Sequence, residues 1–449
     1  MLLTFFLACQ PSAKDPTDAG TGGEAADPLR AEDIVATVSP AIATVIRVSW
    51  TTQVPTLGQV RYGRDETEVL HTPMETVPST THTALLLGIP AATDVHFRVW
   101  TTDGTAEAQS DDAVTRTEDL PTALPSLLRT GEPDPVGGYL SLVLLGGTNA
   151  ATFIDTDGNI VWYHLEDRGY LVQRARLSVD GQSVLYDAVW IHDEADYGEI
   201  VRVSLDGTVV QSYPVPRHSH DFVELPDGTI CAVYYDIREF DTGTVFGDAI
   251  LELAPDGSTR TVWSAFDTYD PVTDTSPFTI DRSWTHVNAM HYDVDDDALY
   301  VNFRNFSSLL KIDRQSGEVL WTLGGYHDDY TWAEGTERPD GQHGFEFVTP
   351  GELLLFNNGP EDARASHAMA YEIDQEARTI REVWSYHHDP ELYVYALGDV
   401  ERRQDGGTRV TWSTAGTIDQ LDNEGQLEWS LSIGFGIIFG YSGWYPALQ

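Results

Sequence analysis

From Tyr139 onward, short apolar runs with two-residue alternation are punctuated by Asp-Gly and Ser-Gly turns, and the pattern repeats. A strand, a glycine turn and a strand ending in an aromatic residue recur at Asp157-Gly-Asn-Ile-Val-Trp162, Asp206-Gly-Thr-Val-Val210, Asp256-Gly-Ser-Thr-Arg-Thr-Val-Trp263 and Ser316-Gly-Glu-Val-Leu-Trp321. Weaker copies follow at Ala377-Arg-Thr-Ile-Arg-Glu-Val-Trp384 and Glu424-Gly-Gln-Leu-Glu-Trp429. Inner hairpins interleave with them at Val179-Asp-Gly-Gln-Ser-Val-Leu185, Pro226-Asp-Gly-Thr-Ile230 and Pro350-Gly-Glu-Leu-Leu-Leu355. Outer turns mostly about 50 residues apart predict one four-stranded sheet per repeat and a six-bladed β-propeller over residues 119–449. Each terminal aromatic is expected to pack between blades. Too few strands precede Trp162 to build a first blade, so Gly440-Tyr-Ser-Gly-Trp-Tyr-Pro-Ala447 is expected to complete it and close the ring. Helix signals are scarce, and the fold class is all-β.

Residues 32–118 carry a different β pattern. Ala43-Thr-Val-Ile-Arg-Val-Ser-Trp50, Gly58-Gln-Val-Arg-Tyr-Gly63, Thr83-Ala-Leu-Leu-Leu-Gly88 and Asp94-Val-His-Phe-Arg-Val-Trp100 read as short strands of a β-sandwich. The run from Leu85 to Trp100, with Trp50 as a buried tryptophan, resembles a fibronectin type III domain. Nothing in it points to chemistry, and it reads as a spacer or docking module. Residues 10–31, rich in Asp, Gly, Ala, Pro and Thr, bury little apolar surface and read as a flexible linker. Residues 1–9, Met-Leu-Leu-Thr-Phe-Phe-Leu-Ala-Cys, resemble the end of a bacterial lipoprotein signal, with Cys9 as the lipid-anchored residue. The expected location is the periplasm or cell surface, with the lipid as the only membrane attachment. A short apolar start with an incidental cysteine is the alternative.

Charge narrows the partners. Asp and Glu number 71 against 26 Lys and Arg, a formal net charge of -45. That field repels nucleic acid and anionic lipid, so neither is expected as a partner. Lysine occurs only at Lys14 and Lys311, leaving arginine to carry nearly all positive charge. An anionic substrate therefore needs a local cluster of Arg and His. Cysteine occurs only at Cys9, in the N-terminal tail, and at Cys231, in an apolar run, so neither a structural disulfide nor a cysteine metal site is expected.

Three segments put histidine at the start of an inner strand: His218-Ser-His220-Asp221, Trp284-Thr-His286-Val-Asn288 and Gly341-Gln-His343-Gly. The repeat places His220, His286 and His343 at equivalent positions in successive blades, converging on one end of the channel. Arg304 follows on the next strand after His286. Histidines with an arginine make an anion site and offer a nucleophile and proton donors. A lone histidine at a strand start is more often a hydrogen-bonded structural residue, but alignment in three blades favours function. Three histidines also match a metal-ligand set, yet no metal and no cofactor is expected. Asp221 reads as structural, and His387 and His388 as solvated residues near blade edges. The run Asp293-Val-Asp-Asp-Asp297 lacks calcium-loop spacing and reads as an acidic turn.

With these residues in view, residues 139–449 resemble the bacterial aryl sulfate sulfotransferase family, whose members need no nucleotide sulfate donor. The resemblance rests on Trp284-Thr-His-Val-Asn-Ala-Met-His-Tyr-Asp293, Leu299-Tyr-Val-Asn-Phe-Arg304, Leu310-Lys-Ile-Asp313 and Gly317-Glu-Val-Leu-Trp-Thr-Leu-Gly-Gly325. It continues through Gln342-His343, Leu355-Phe-Asn-Asn-Gly359, Ala370-Tyr-Glu-Ile-Asp374 and Val383-Trp-Ser-Tyr386. The resemblance implies that His343 is the nucleophile that takes the sulfuryl group. His220, His286 and Arg304 then fall on the other active-site positions, with Asn288 close by as an expected substrate-binding residue. Where the family commonly has Ser-Arg, this chain has Ser366-His367, so His367 or Arg364 is expected to take that substrate-binding place.

The expected function is transfer of a sulfuryl group from an aryl sulfate donor to a phenol acceptor through a sulfohistidine; no phosphate-binding glycine loop is present. A homodimer is compatible with the sequence. The alternatives are a non-catalytic envelope propeller that binds sulfated ligands or a protein partner, and a sulfatase-like hydrolase with water as acceptor.

Overall fold

The computed structural model describes residues 27–66, 70–190, 197–241, 243–276, 283–360 and 365–449. Cys9, the signal, most of the linker and Arg364 lie outside the described residues.

Six sheets stand around a central channel, so the six-bladed all-β propeller read from the turn spacing is the observed fold. Blade one runs from the inside out as Ile437–Tyr445, Tyr139–Gly146, Ala150–Asp155 and Ile160–Leu165. Blade two begins with Ala175–Leu177, blade three with His218–Glu224, blade four with Val287–Asp293, blade five with Phe345–Thr349 and blade six with Asp399–Arg402. The ring is closed twice. The C-terminal strand Ile437–Tyr445 pairs antiparallel with Tyr139–Gly146, as Leu144 with Phe439 and Leu140 with Trp444. In blade six, Leu127–Gly131 adds a fifth, outermost strand beside Leu427–Ile433.

Apolar clusters lie between neighbouring blades because each sheet buries both faces. The repeat aromatics fill these seams. Trp162 of blade one donates its indole N–H to the Leu205 carbonyl of blade two at 2.9 Å, and Trp263 of blade three meets Phe303 of blade four edge-on at 5.6 Å. The outer turn of blade four is as tight as its Ser-Gly predicts. Gly317 has φ 74°, and a Cβ there would strike the Val262 carbonyl of blade three.

The N-terminal unit is one seven-stranded pairing network. Its longest strand, Ile46–Gly63, pairs early with Glu32–Val38 and Ser79–Leu86, and later with Asp94–Thr102. This places Val48, Trp50, Val60, Leu86 and Val99 in a core of its own. It also rests on the propeller. The Ala43 N–H donates to the Tyr163 hydroxyl at 3.0 Å, the Thr44 hydroxyl to the Val161 carbonyl at 2.7 Å, and Arg47 pairs with Asp206. Ile42, Val45 and Leu87 join the cluster that contains Trp162.

Candidate active site

The channel face that carries the candidate residues is made by the loops leading into the inner strands. Register alone would not aim them alike. In blade four Val287 pairs with Phe303, the last residue of the second strand Ala298–Phe303, and the Arg304 amide reaches the His286 carbonyl at 3.0 Å. In blade five Phe345 pairs with Leu355, two residues before the end of Glu352–Asn357, and the His343 amide bonds the Phe356 carbonyl. His343 therefore sits deeper along its strand than His286. In blade three the register slips between His218 and Phe222, and His220 lies in that irregularity. The positions are thus not equivalent as the repeat suggested; local backbone distortion brings the rings together. His220 and His286 both adopt left-handed φ, 62° and 53°, a costly conformation for non-glycine residues that concentrates at functional sites.

Their rings do converge. His220 and His286 have ring centroids 4.4 Å apart, and His286 and His343 6.5 Å apart. His343 is buried, at 2% exposure, whereas His220, His286 and Arg304 are half-buried. Burial, with the charges of His286 and Arg304 nearby, pushes the His343 pKa down to about 3, while Asn358 and the Gly341 carbonyl pull weakly the other way. His343 is consequently neutral across the physiological range.

Each histidine has a support. The His220 Nδ1 lies 2.5 Å from the Ser219 hydroxyl. The His286 amide donates to the Ser283 hydroxyl at 2.9 Å, and buried Asp248 accepts from the Thr285 hydroxyl at 2.6 Å and the Val287 amide at 2.9 Å. The His343 Nδ1 lies 2.8 Å from the Asn358 Oδ1. The Arg304 guanidinium donates to the Asn305 Oδ1 at 3.0 Å.

Asn288 is fully buried and its amide is engaged within the protein. It donates to the Gln342 carbonyl at 2.8 Å and accepts from Asn302 at 2.6 Å, while Asn302 also donates to the His343 carbonyl at 3.1 Å. Its observed contacts hold the His343 segment against blade four. His367 belongs to a different cluster: its Nε2 lies 3.3 Å from the Glu337 carboxylate, and its ring stacks on His387 at 4.6 Å. Arg364 lies outside the described residues, so His220, His286, His343 and Arg304 are the predicted site residues that assemble here.

Below the histidines the channel is plugged. Buried Arg174 of the loop into blade two donates to Asp221 of blade three at 3.1 Å and Asp399 of blade six at 3.2 Å, and lies 3.9 Å over the Tyr441 ring of blade one. The Tyr441 hydroxyl donates to the Asn288 carbonyl at 2.6 Å. Asp221 is therefore structural, as its sequence context indicated. Burial opposes its ionisation, but Arg174, Arg176 and the Met290 amide together hold its pKa down at about 2. A cavity of about 500 Å³ with Arg176, His291, Phe345 and Glu401 in its walls lies past this plug, at the other mouth. It does not reach the histidine cluster. Sequence reading missed Asn358 and Arg174. The Asn357-Asn358-Gly359 run was a visible signal for the first; Arg174 lies in no repeat or motif.

The arrangement can bind an anion, supply a neutral buried imidazole and donate protons from two flanking rings. Comparisons with known proteins bear on that chemistry. The sequence model of one family, Arylsulfotransferase (ASST), matches residues 136–432. No curated protein matches the chain. Among solved structures, a streptogramin B lyase is 13% identical, covering 71% of this chain and 97% of its own at a TM-score of 0.41. An oligogalacturonate lyase in complex with manganese is also 13% identical, covering 69% and 96% at a TM-score of 0.37. A putative 6-phosphogluconolactonase from Bacteroides fragilis is 11% identical, covering 87% and 98% at a TM-score of 0.35. Likeness at these scores carries nothing about the reaction.

Proposed function

The chain belongs to the arylsulfotransferase family, and from that premise we propose that it moves a sulfuryl group from a phenolic sulfate ester to an acceptor phenol through a covalent intermediate on His343. The observation that carries this reading is a buried imidazole, kept neutral, with two further imidazoles and a guanidinium beside it. A nucleophilic histidine must present a lone pair, and protonation removes it. The surroundings that disfavour the imidazolium also suit a bound sulfate ester and the negative charge that grows on its leaving oxygen.

In the first half-reaction the His343 lone pair forms the N–S bond while the S–O bond to the aryl group breaks. The electron pair of that bond leaves on the phenolate oxygen, which takes a proton from His220 or His286. Arg304 faces the sulfuryl oxygens. An acceptor phenol then enters, gives its proton back to the flanking histidine, attacks sulfur and frees His343. Two half-reactions at one site give ping-pong kinetics. As in phosphoryl transfer, positioning and charge stabilisation dominate. The donor is the sulfate ester itself, with no nucleotide.

Intact-mass measurement after brief exposure to 4-nitrophenyl sulfate tests the proposal. A gain of one sulfuryl group is expected, lost on adding phenol and absent in His343→Asn. Bound ester recovered unchanged, with no mass gain, would favour a binding propeller; free sulfate in place of sulfated phenol would favour a hydrolase.

The envelope location is proposed on Cys9 alone. Cys9→Ser should move the protein from the membrane fraction to the soluble one with activity intact, and a wild-type protein that is already soluble would refute the anchor. The fibronectin-like reading of residues 32–118 stands as a proposed spacer role.

A further inference from the structure

We propose that Asn358 is a positioning residue that decides which nitrogen of His343 reacts: it keeps the ring proton on Nδ1 and leaves the Nε2 lone pair to attack sulfur. The inference rests on the transfer reading above and extends it to the atom.

The argument turns on the orientation of one amide. The Asn358 Nδ2 lies 2.8 Å from the Val394 carbonyl and 2.8 Å from the Leu397 carbonyl. Both partners are acceptors, so only the NH2 end of the amide can face them, and both of its hydrogens are used. The carbonyl end must then face His343, and Oδ1 accepts from Nδ1 at 2.8 Å. An amide oxygen has no proton to give. The His343 Nδ1 must carry the hydrogen, and neutrality of the ring then places the lone pair on Nε2.

The clamp around Asn358 is built to resist rotation. Asn358 is 3% exposed, and Ser366 and Val394 are buried with it. The Ser366 hydroxyl donates to the main-chain carbonyl of Asn358 at 3.0 Å and accepts from the Val394 amide at 3.0 Å, which fixes the backbone that carries the amide. Leu397 takes a left-handed φ of 60° and still presents its carbonyl to Asn358. Flipping the amide would set its oxygen against two buried carbonyls and its NH2 against Nδ1. Ser366, which the sequence placed in a substrate-binding element, is thus the third member of this clamp.

During transfer the Nε2 pair forms the bond to sulfur and the Nδ1 proton stays in place. The positive charge that develops on the ring is met by the Asn358 oxygen, through a hydrogen bond that strengthens as charge grows. The bond to the leaving phenolate breaks as before, and the acceptor phenol reverses the step. With the proton on Nε2 instead, that nitrogen has no lone pair, and Nδ1 is boxed in by Asn358.

Histidine-selective 15N labelling, with His343 assigned by difference against His343→Asn, reads the tautomer without any donor present. The expected result is a proton-bearing Nδ1 and a bare Nε2; the reverse assignment overturns the proposal. In Asn358→Ala the two nitrogens should share the proton. Sulfuryl labelling of His343 should then slow by on the order of 100-fold with donor KM within about threefold. Labelling at the wild-type rate overturns the proposal. Should that variant fail to fold, the wild-type spectrum decides alone. Because the spectrum needs no sulfate ester, a protein inert to phenyl sulfates would sink the transfer reading separately from this one.

Discussion

If His343 is the nucleophile, its depressed pKa makes the acid side of the rate profile unusual. At the ordinary histidine value of about 6.5, only about 3% of the imidazole is neutral at pH 5. With the pKa pushed down to about 3 by burial, His286 and Arg304, nearly all of it is neutral at the same pH. The two cases differ by about 30-fold in reactive imidazole. The experiment is a single-turnover measurement with 4-nitrophenyl sulfate between pH 4 and 8, quenched and read as 4-nitrophenol released. Nitrophenolate is a good leaving group and leans little on general acid help, so the rate reports mainly the nucleophile. Short exposures keep acid unfolding out of the record. The expected result is a rate at pH 5 within about threefold of that at pH 7, against the roughly 30-fold fall of an unperturbed imidazole. A tenfold fall per pH unit below about 6.5 would refute the reasoning, since it would mean that the imidazole titrates as it does in water. The same shift has a stability consequence. The unfolded chain takes up the His343 proton below about pH 6.5 and the native one only near 3, so the native state loses stability progressively as pH falls through that window.

The other predictions concern single groups. On the transfer reading, Arg304→Ala removes a charge-assisted contact to the ester, worth about 1.5–3 kcal/mol, and should lower kcat/KM by about 10- to 100-fold, with a failure to change KM or kcat refuting its role. Arg174→Met leaves Asp399 without its cation and Asp221 with Arg176 alone. It should cost about 3–5 kcal/mol at neutral pH and less in acid, where the carboxyls protonate, as read by denaturant melts at two pH values. Deleting residues 437–449 removes the innermost strand of blade one, including fully buried Phe439 and Tyr441. At about 1.5–3 kcal/mol per buried large side chain, plus an opened sheet edge, the loss approaches the whole stability of a domain. The truncated chain should show no cooperative melt, and an unchanged midpoint would refute ring closure as its basis.

Much of the ring was legible because its determinants are local. Asp-Gly and Ser-Gly turns and the seam tryptophans are each set by a few neighbouring residues, so their spacing transmits directly to blade number. Convergence of His220, His286 and His343 was legible for a related reason: each lies at the entry to an inner strand, inside His218–Glu224 or one to two residues ahead of Val287–Asp293 and Phe345–Thr349. Their depth was not. Whether a ring is buried depends on a register slip in blade three and on how far along its second strand the pairing begins in blade five, and such irregularities leave no pattern in a single chain. Asn288 shows the same limit from the other side. The family resemblance pointed it to substrate, yet its amide is directed by Asn302 on the adjoining strand and by Gln342 of the next blade, 54 residues away. Arg174 belongs to no repeat, and only the closed ring brings Asp221 and Asp399 to it.

The electrostatics of the site follow from this burial pattern rather than from the overall charge. A net charge of -45 opposes binding of a sulfate ester, but exposed charges beyond about 8–10 Å are largely screened at physiological salt. What matters is which acidic groups face the histidines. The buried carboxylate of Asp221 is turned to Arg174 and Arg176, and that of Asp248 to the Thr285 hydroxyl and the Val287 amide. Their charge is spent on holding backbone and plug. The left-handed backbone at His220 and His286 costs on the order of 1–3 kcal/mol at each residue, and bonds such as those of Asp248 and Ser283 on either side of His286 offset it. Asp248 thus anchors the backbone on either side of His286, and Asp221 anchors the plug beneath the histidines. A strongly acidic chain can in this way present a guanidinium and a cluster of imidazoles, with its buried carboxylates turned elsewhere, to an anion.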